Sequence, residues 1–331
     1  MDLDAYVAEH RGEWSRLERL ATRRRLSAAE VDELVALYQR TTTHLSVIRS
    51  RTPDPALISR LSRIVLEARG ALTPTRKFSW PEAGRFFTVT FPVAAYKARW
   101  WWLAVSLVFT GLALAMMYYV AAHPEVQQAF MSESGADKLV NHDFESYYSE
   151  HAAQDFAFRV WTNNAWIAAV SLAAGVLIVP VVYVLFQNLV GIGTVGGIMI
   201  GHGRADLFFG LIAPHGLLEL TAVFLAAGVG LRIGWAWIAP GTGRTRAGAL
   251  AEAARSGVTV ALGLVLVLFV SALVEAFVTP SPFPTAVRIL IGFVVWAAFL
   301  AYVLVLGARG AAAGETGDVL AESRSAEDVL V

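Results

Sequence analysis

After Arg99 the chain runs repeatedly for long stretches without a formal charge, over residues 100–124, 160–203, 207–218, 256–274 and 289–308. A helix needs about 20 mostly apolar residues to cross the roughly 30 Å hydrocarbon core of a bilayer. The stretch 160–203 has 44 residues, so it turns back at least once. A soluble protein with several buried helices would carry a polar face at helical period on most of these segments, and they lack one. Composition agrees. The chain is 56% hydrophobic and 16% charged, where soluble domains carry about 45–50% and about 25%. These values argue against a disordered chain, and the lack of cysteine argues against a disulfide scaffold. The balance of 27 basic and 27 acidic residues argues against a nucleic-acid binder. Absence of cysteine assigns no redox compartment.

The fold class expected is all-α: a polytopic membrane helical bundle of about six spans, with an N-terminal cytoplasmic helical bundle and an interfacial elbow helix. The spans are placed at 100–122, 164–186, 188–203, from 207 or 214 to 237, 256–277 and 287–307, the third being short. The domains follow as 1–77 (cytoplasmic helical region), 78–99 (elbow), 100–308 (membrane bundle, with extracytoplasmic segment 123–159) and 309–331 (flexible cytoplasmic tail). The first thirty residues hold no apolar run of signal-peptide type, so the first span is expected to act as the insertion signal. Loop charge sets the direction. Residues 1–99 hold 17 Lys/Arg against 11 Asp/Glu, and the segment between spans one and two holds Lys138 and Arg159 against seven acids. Both termini are therefore expected in the cytoplasm of a bacterial cell.

Within the N-terminal region, Leu17, Leu20, Val31, Leu34, Leu37, Tyr38, Leu45 and Ile48 recur at helical spacing. Ser27 and Glu30 match a capping box, and Asp54-Pro55 supplies a cap and a first-turn proline for the next helix. That helix is expected to bury Leu57, Leu61, Ile64, Val65 and Leu66. Arg23-Arg24-Arg25 reads as a solvated face beside the membrane. Residues 78–99 interleave Phe78, Trp80, Phe86, Phe87, Phe91, Tyr96 and Trp100 with Arg85, Lys97 and Arg99, the pattern of a segment lying at headgroup level against membrane lipids.

The acidic segment 123–158 carries Phe130, Phe144, Tyr147, Tyr148, Phe156 and Phe158, with Glu145 to His151 expected helical. It reads either as a surface for a partner or as a flap on its own bundle. His142, Asp143, Glu150 and His151 match no strong metal-ligand spacing, and no metal or other cofactor is expected.

Ionisable and polar groups at membrane depth are costly, so they are the default candidates for function. Asn163 and Asn164 are read as a cap opening the second span, and Asn188 as satisfying a tight turn between the second and third. Gly193, Gly197 and Gly201 place a smooth ridge on one face of the third span, suited to close helix packing. The glycines also suit a broken or re-entrant helix. The fourth segment, Pro214-His-Gly-Leu-Leu-Glu219-Leu-Thr-Ala222, sets His215 and Glu219 four residues apart on one helix face. The pair lacks the second histidine of an HExxH site. His202 and Glu275 are the residues that could complete a set. No catalytic constellation is legible, and a hydrogen-bonded structural pair is the plainer reading.

In these stretches the chain resembles the stage II sporulation protein M family of integral membrane proteins. The matching pieces are Leu34 to Arg40, Arg49-Ser-Arg51 with Asp54-Pro55, Arg85-Phe-Phe with Phe91-Pro92, and Trp161-Thr-Asn-Asn164. They continue with the glycine-rich third span, Pro214 to Ala222, and Val274-Glu-Ala-Phe-Val-Thr-Pro280. The resemblance implies a non-enzymatic multi-pass scaffold, in endospore formers one that holds cell-wall hydrolases at the septal membrane during engulfment. It also implies partners among membrane or wall-remodelling proteins or an AAA-type ATPase, with homo-oligomers in scope and no nucleic acid. The alternative from the residues is a transporter or intramembrane enzyme using the His/Glu site. An even span number predicts that tags at the two termini are modified from the same side of the membrane. Labelling on opposite sides refutes it.

Overall fold

A computed structural model describes residues 2–23, 26–72, 79–148 and 152–319. No strand occurs among them. The chain divides into two units, Met1–Ser79 and Trp80–Val331.

The first unit is built from α1 (Leu3–Ala21), α2 (Ala28–Arg51) and α3 (Pro55–Leu72). Their starts are locally encoded. The Asp2 carboxylate accepts from the Asp4 and Ala5 amides, Ser27 and Glu30 form the reciprocal box, and Asp54 Oδ1 accepts from the Leu57 amide at 2.7 Å. Each such cap satisfies backbone N–H groups that the first turn leaves orphaned. The core joins Trp14, Leu17 and Leu20 to Leu34, Leu37, Leu45, Ile48, Leu61, Ile64 and Ala68. Leu66, expected inside, is 69% exposed. It lies two residues past Ile64, about 200° around the helix, on the opposite face. Val31 is exposed too. Arg16 pairs with Glu33 at 2.7 Å and Arg40 with Glu13 at 3.1 Å, joining α1 to α2. Arg23 pairs with Glu30, while Arg24 and Arg25 lie outside the described residues.

The second unit begins with α4 (Trp80–Arg85), a π turn (Phe86–Thr90) and α5 (Phe91–Lys97), which lead into α6 (Arg99–Ala122). Short helices α7 (Pro124–Phe130), α8 (Glu133–Lys138) and α9 (Phe144–Ser146) follow, with a π turn (Leu139–Asp143) before α9. Then come α10 (Ala153–Ala173), α11 (Val179–Gly201), α12 (Ala205–Ile238) and α13 (Arg246–Leu273). A π turn (Val274–Val278) extends α13, and α14 (Thr285–Ala301) continues through a π turn (Tyr302–Leu306) into α15 (Gly307–Ala312). Six of these helices are long and apolar enough to cross a membrane. Their outer faces carry large apolar side chains such as Leu107, Tyr118, Trp166, Val179 and Leu290. A contiguous surface of this kind needs lipid rather than water.

α12 is the inner helix. α6, α10, α13 and α14 surround it, and most of its residues are buried. Close approach depends on glycine. A Cβ at Gly230 would collide with the Ser171 carbonyl oxygen of α10, one at Gly228 with the Trp102 backbone of α6, and one at Gly292 with the Pro214 carbonyl. The ridge Gly193, Gly197 and Gly201 faces Met116, Val120 and Ala121 of α6 together with Gln127.

Several expectations are corrected here. The second and third spans do not meet at Asn188. The chain reverses through Ala174–Leu177 and Ile178, whose φ is +59°, an unusual backbone for a β-branched residue. The turn Ala-Gly-Val-Leu-Ile is as apolar as the helices it joins, so polarity does not reveal it. The third span is consequently a full helix of 23 residues, neither short nor broken. The helix that carries the second span starts at Ala153, eleven residues before Asn164. The fourth span runs through Pro214 without a break. Tyr147 and Tyr148 form a turn after Ser146, so the expected helix to His151 stops short. Residues 149–151 lie outside the described residues.

The elbow packs one face onto the bundle and leaves aromatic side chains outward. Phe91, Val93, Ala94, Ala95 and Ala98 are buried, while Trp80 and Trp100 remain exposed. Small side chains let α5 seat against glycine faces. A Cβ at Gly263 of α13 would strike the Phe91 ring, and one at Gly307 of α15 the Pro92 carbonyl. Phe78 lies outside the described residues. The tail expected to be flexible is helical to Ala312 and anchored beyond it. Lys97 Nζ donates to the Glu315 carbonyl at 2.7 Å, Arg85 pairs with Glu315 at 3.0 Å, and Arg255 with Asp318 at 2.7 Å. These contacts also place the entry to the first span and the exit of the sixth at one end of the bundle. Residues 320–331 lie outside the described residues.

Gly230→Ala is expected to destabilise the bundle by about 1–3 kcal/mol, the usual cost of overpacking, because backbone cannot swing aside. Gly191→Ala meets open space and should leave the unfolding midpoint unchanged or slightly raised. Denaturant unfolding of the two variants in detergent checks the contrast.

Candidate functional site

Pro214 inside α12 lacks an N–H, so the turn before it has one backbone bond fewer. His215 follows directly and is buried. Glu219 stands one turn further along on the same face. Glu275 comes from the π turn that extends α13 and is buried as well. Such π turns re-aim side chains and concentrate at functional sites. One donor atom each of His215, Glu219 and Glu275 lies within 4.8 Å of the others. His215 Nε2 is 3.8 Å from Glu275 Oε1, and His215 Nδ1 is 3.2 Å from Thr279 Oγ1. With the imidazole neutral and its proton on Nδ1, the ring donates to Thr279 and presents the Nε2 lone pair to the carboxylates.

The surrounding groups hold this arrangement. Ser271 Oγ donates to the His215 carbonyl at 3.3 Å, tying α13 to α12. Thr221 Oγ1 accepts from Trp296 Nε1 at 3.0 Å, tying α14 to α12. Asn164 lines the same cavity as the Glu219 carboxylate. Glu219 Oε2 is buried and has no hydrogen-bond partner among the described residues. A cavity of about 340 Å³ lies against both carboxylates and is lined by Arg159, Asn163, Asn164 and Tyr147. A second, of about 500 Å³, reaches Glu219 past Phe144, Asn188 and Phe208.

The segment 123–148 covers this end of the bundle. Val140, Phe144 and Tyr148 share a core with Phe156, Phe208 and Leu211. The Phe144 and Phe208 rings stack at 5.6 Å, and the Tyr148 ring lies 5.9 Å from His215. Burial, then the nearby Glu275 charge, push the Tyr148 hydroxyl above the usual phenol range. Phe130, Tyr147 and Phe158 stay exposed.

The other predicted residues fall elsewhere. His202 is exposed at the end of α11, where its ring meets the Ile198 carbonyl at 2.9 Å, and it does not join the cluster. Asn163 and Asn164 do not cap the second span. They sit mid-helix in α10, because that helix starts ten residues earlier than their capping role required. Asn188 also sits mid-helix, donating to the Val184 carbonyl at 2.8 Å. His142 and Asp143 pair at 3.0 Å on the surface, and Glu150 and His151 lie outside the described residues. Sequence reasoning missed Thr279, although its four-residue spacing from Glu275 is visible. Tyr148 and Ser271 carried no signal.

The first unit holds another grouping that sequence reasoning missed. His10 and Glu13 of α1 and His44 of α2 bring donor atoms within 4.8 Å of one another. The two imidazoles stack at 4.1 Å, and Trp14 Nε1 donates to His44 Nδ1 at 3.2 Å. Burial, then the neighbouring His10, hold the His44 ring below the usual histidine range. A folded-state value below the unfolded one means the unfolded chain binds more protons, so stability falls as pH drops below about 6.5. Amide exchange in α1 and α2, corrected for intrinsic rate, is expected to accelerate between about pH 7 and pH 5. His44→Gln should flatten that dependence.

No curated protein and no solved structure matches the chain. Two family models do. Residues 4–74, which include the first unit's three helices, match a domain of unknown function (DUF8413). Residues 105–280, from α6 through Thr279 and Pro280, match stage II sporulation protein M. The second match takes in all three clustered side chains and more than half of the chain, which therefore belongs to the stage II sporulation protein M family.

Proposed function

We propose that the chain is a non-enzymatic scaffold of the bacterial cytoplasmic membrane that gathers partner proteins, of the wall-remodelling or AAA-type ATPase kind, at that membrane. The observation supporting this is the self-sufficient core of the first unit. Residues 3–72 bury Trp14, Leu17, Ile48 and Leu61 among themselves and leave charged faces outward, a body suited to docking rather than catalysis. The layer 123–148, with exposed Phe130 and Tyr147 beside acidic residues, offers a second surface. Both termini are cytoplasmic in this reading. Arg85, Lys97, Arg255 and the anchored tail cluster at one end of the bundle, as the positive-inside rule asks of a cytoplasmic face. Membrane lipids and further copies of the chain complete the expected partners.

A second reading, a transporter or intramembrane enzyme, is favoured by one observation: two carboxylates and an imidazole converge on a cavity at membrane depth.

Cross-linking in intact membranes, followed by purification of the tagged full chain in mild detergent, separates the two. A scaffold yields a reproducible complex containing a wall-remodelling enzyme or an ATPase, which shrinks when Phe130 and Tyr147 are replaced by Ser. Recovery of the chain by itself sinks the proposal.

A further inference from the structure

We propose that His215, Glu219 and Glu275 bind one divalent transition-metal cation of the Zn²⁺, Fe²⁺ or Mn²⁺ class, reached through the cavity that Asn163 and Asn164 line. The site goes beyond the scaffold reading and stands or falls independently of it.

Four observations converge. The three donor atoms already lie within 4.8 Å of one another. Ligands about 2.0–2.2 Å from a shared ion sit somewhat closer than that, a shift that side-chain torsions can supply. Next, His215 is oriented as ligating histidines are, with one ring nitrogen on a hydroxyl, Thr279 Oγ1 at 3.2 Å, and the other facing the carboxylates. Asn164 lines the cavity beside Glu219. Third, Glu219 Oε2 is a buried carboxylate oxygen without a partner among the described residues. Leaving such an oxygen bare is costly, and a cation between the two glutamates removes the deficit. Finally, two carboxylates, one neutral imidazole and one divalent ion sum to zero charge, the state least penalised at membrane depth.

Donor chemistry sets the class. Calcium and magnesium favour all-oxygen shells, and cuprous ion favours sulfur. One imidazole with two carboxylates suits the borderline divalent ions. Three protein ligands beside a cavity leave a coordination position open to water, the mark of an exchangeable site rather than a closed structural one. Glu275 lies 56 residues from Glu219 in sequence, so spacing alone did not assemble this set.

The test uses the full-length chain in detergent, purified with a tag free of histidine, stripped with chelator, and carrying His10→Gln and His44→Gln to remove the other His/Glu grouping. Zn²⁺ is titrated calorimetrically and Co²⁺ by its visible absorption. The expected result is one ion per chain and a Zn²⁺-dependent rise in Tm. Glu219→Gln and Glu275→Gln should each weaken binding by about tenfold or more and abolish the Tm rise and the Co²⁺ bands, while keeping the ion-free Tm of the parent. No saturable uptake of either ion by the parent overturns the proposal, whatever the variants do. Unchanged affinity in the Glu219→Gln, Glu275→Gln double variant overturns it as well, and leaves the cluster as a proton-sharing lock between helices.

Discussion

Close backbone contact around α12 is the condition on which the second unit rests. Lipid tails are as apolar as leucine, so helices in a bilayer gain little from hiding apolar side chains against one another. They associate through packing, and packing is densest where the backbones nearly touch. Gly228, Gly230 and Gly292 place α6, α10 and α14 at that distance from α12. The same device seats α5, whose Phe91 and Pro92 fit against Gly263 and Gly307. A single inner helix thus organises the four helices around it, and the outer faces are left to lipid.

That enclosure explains how polar side chains persist inside. His215 and Glu219 point from α12 toward α10 and α13, where Ser271, Glu275 and Thr279 meet them and Asn164 lines the adjoining cavity. A carboxylate on the lipid face would have no such company. Hydrogen bonds across these helices, including Trp296 to Thr221, hold the cluster in register, and the layer carrying Phe144 and Tyr148 closes over it. The first unit is a separate case, assembled by ordinary burial of leucines and a tryptophan and by caps written into its helix starts.

Much of this architecture was legible in the residues. Charge-free runs announced membrane helices, because a formal charge in hydrocarbon is expensive enough to be avoided. Ser27 with Glu30 and Asp54 with Pro55 marked helix starts, because caps are local. The four-residue spacing of His215 and Glu219 put both on one face, because helical period is local too. Boundaries inside apolar stretches were not legible. The reversal at Ile178 uses the same residue types as the helices on either side, so the polar Asn163, Asn164 and Asn188 suggest boundaries where the helices in fact continue.

The sequence by itself determined that this chain crosses a membrane about six times, begins with a separate helical body, and carries a histidine and a glutamate where such groups are rare. These follow from length, period and charge, which act over one helix at a time. Only the tertiary structure decided which polar residues meet. It brought Glu275 and Thr279 to His215 and set His202 apart. It set Asn164 and Glu219 on one cavity and folded the tail back onto α5 through Lys97 and onto α13 through Arg255. Contacts between residues far apart in the chain depend on how helices rotate and cross, and that is fixed by glycine-scale packing summed over several helices.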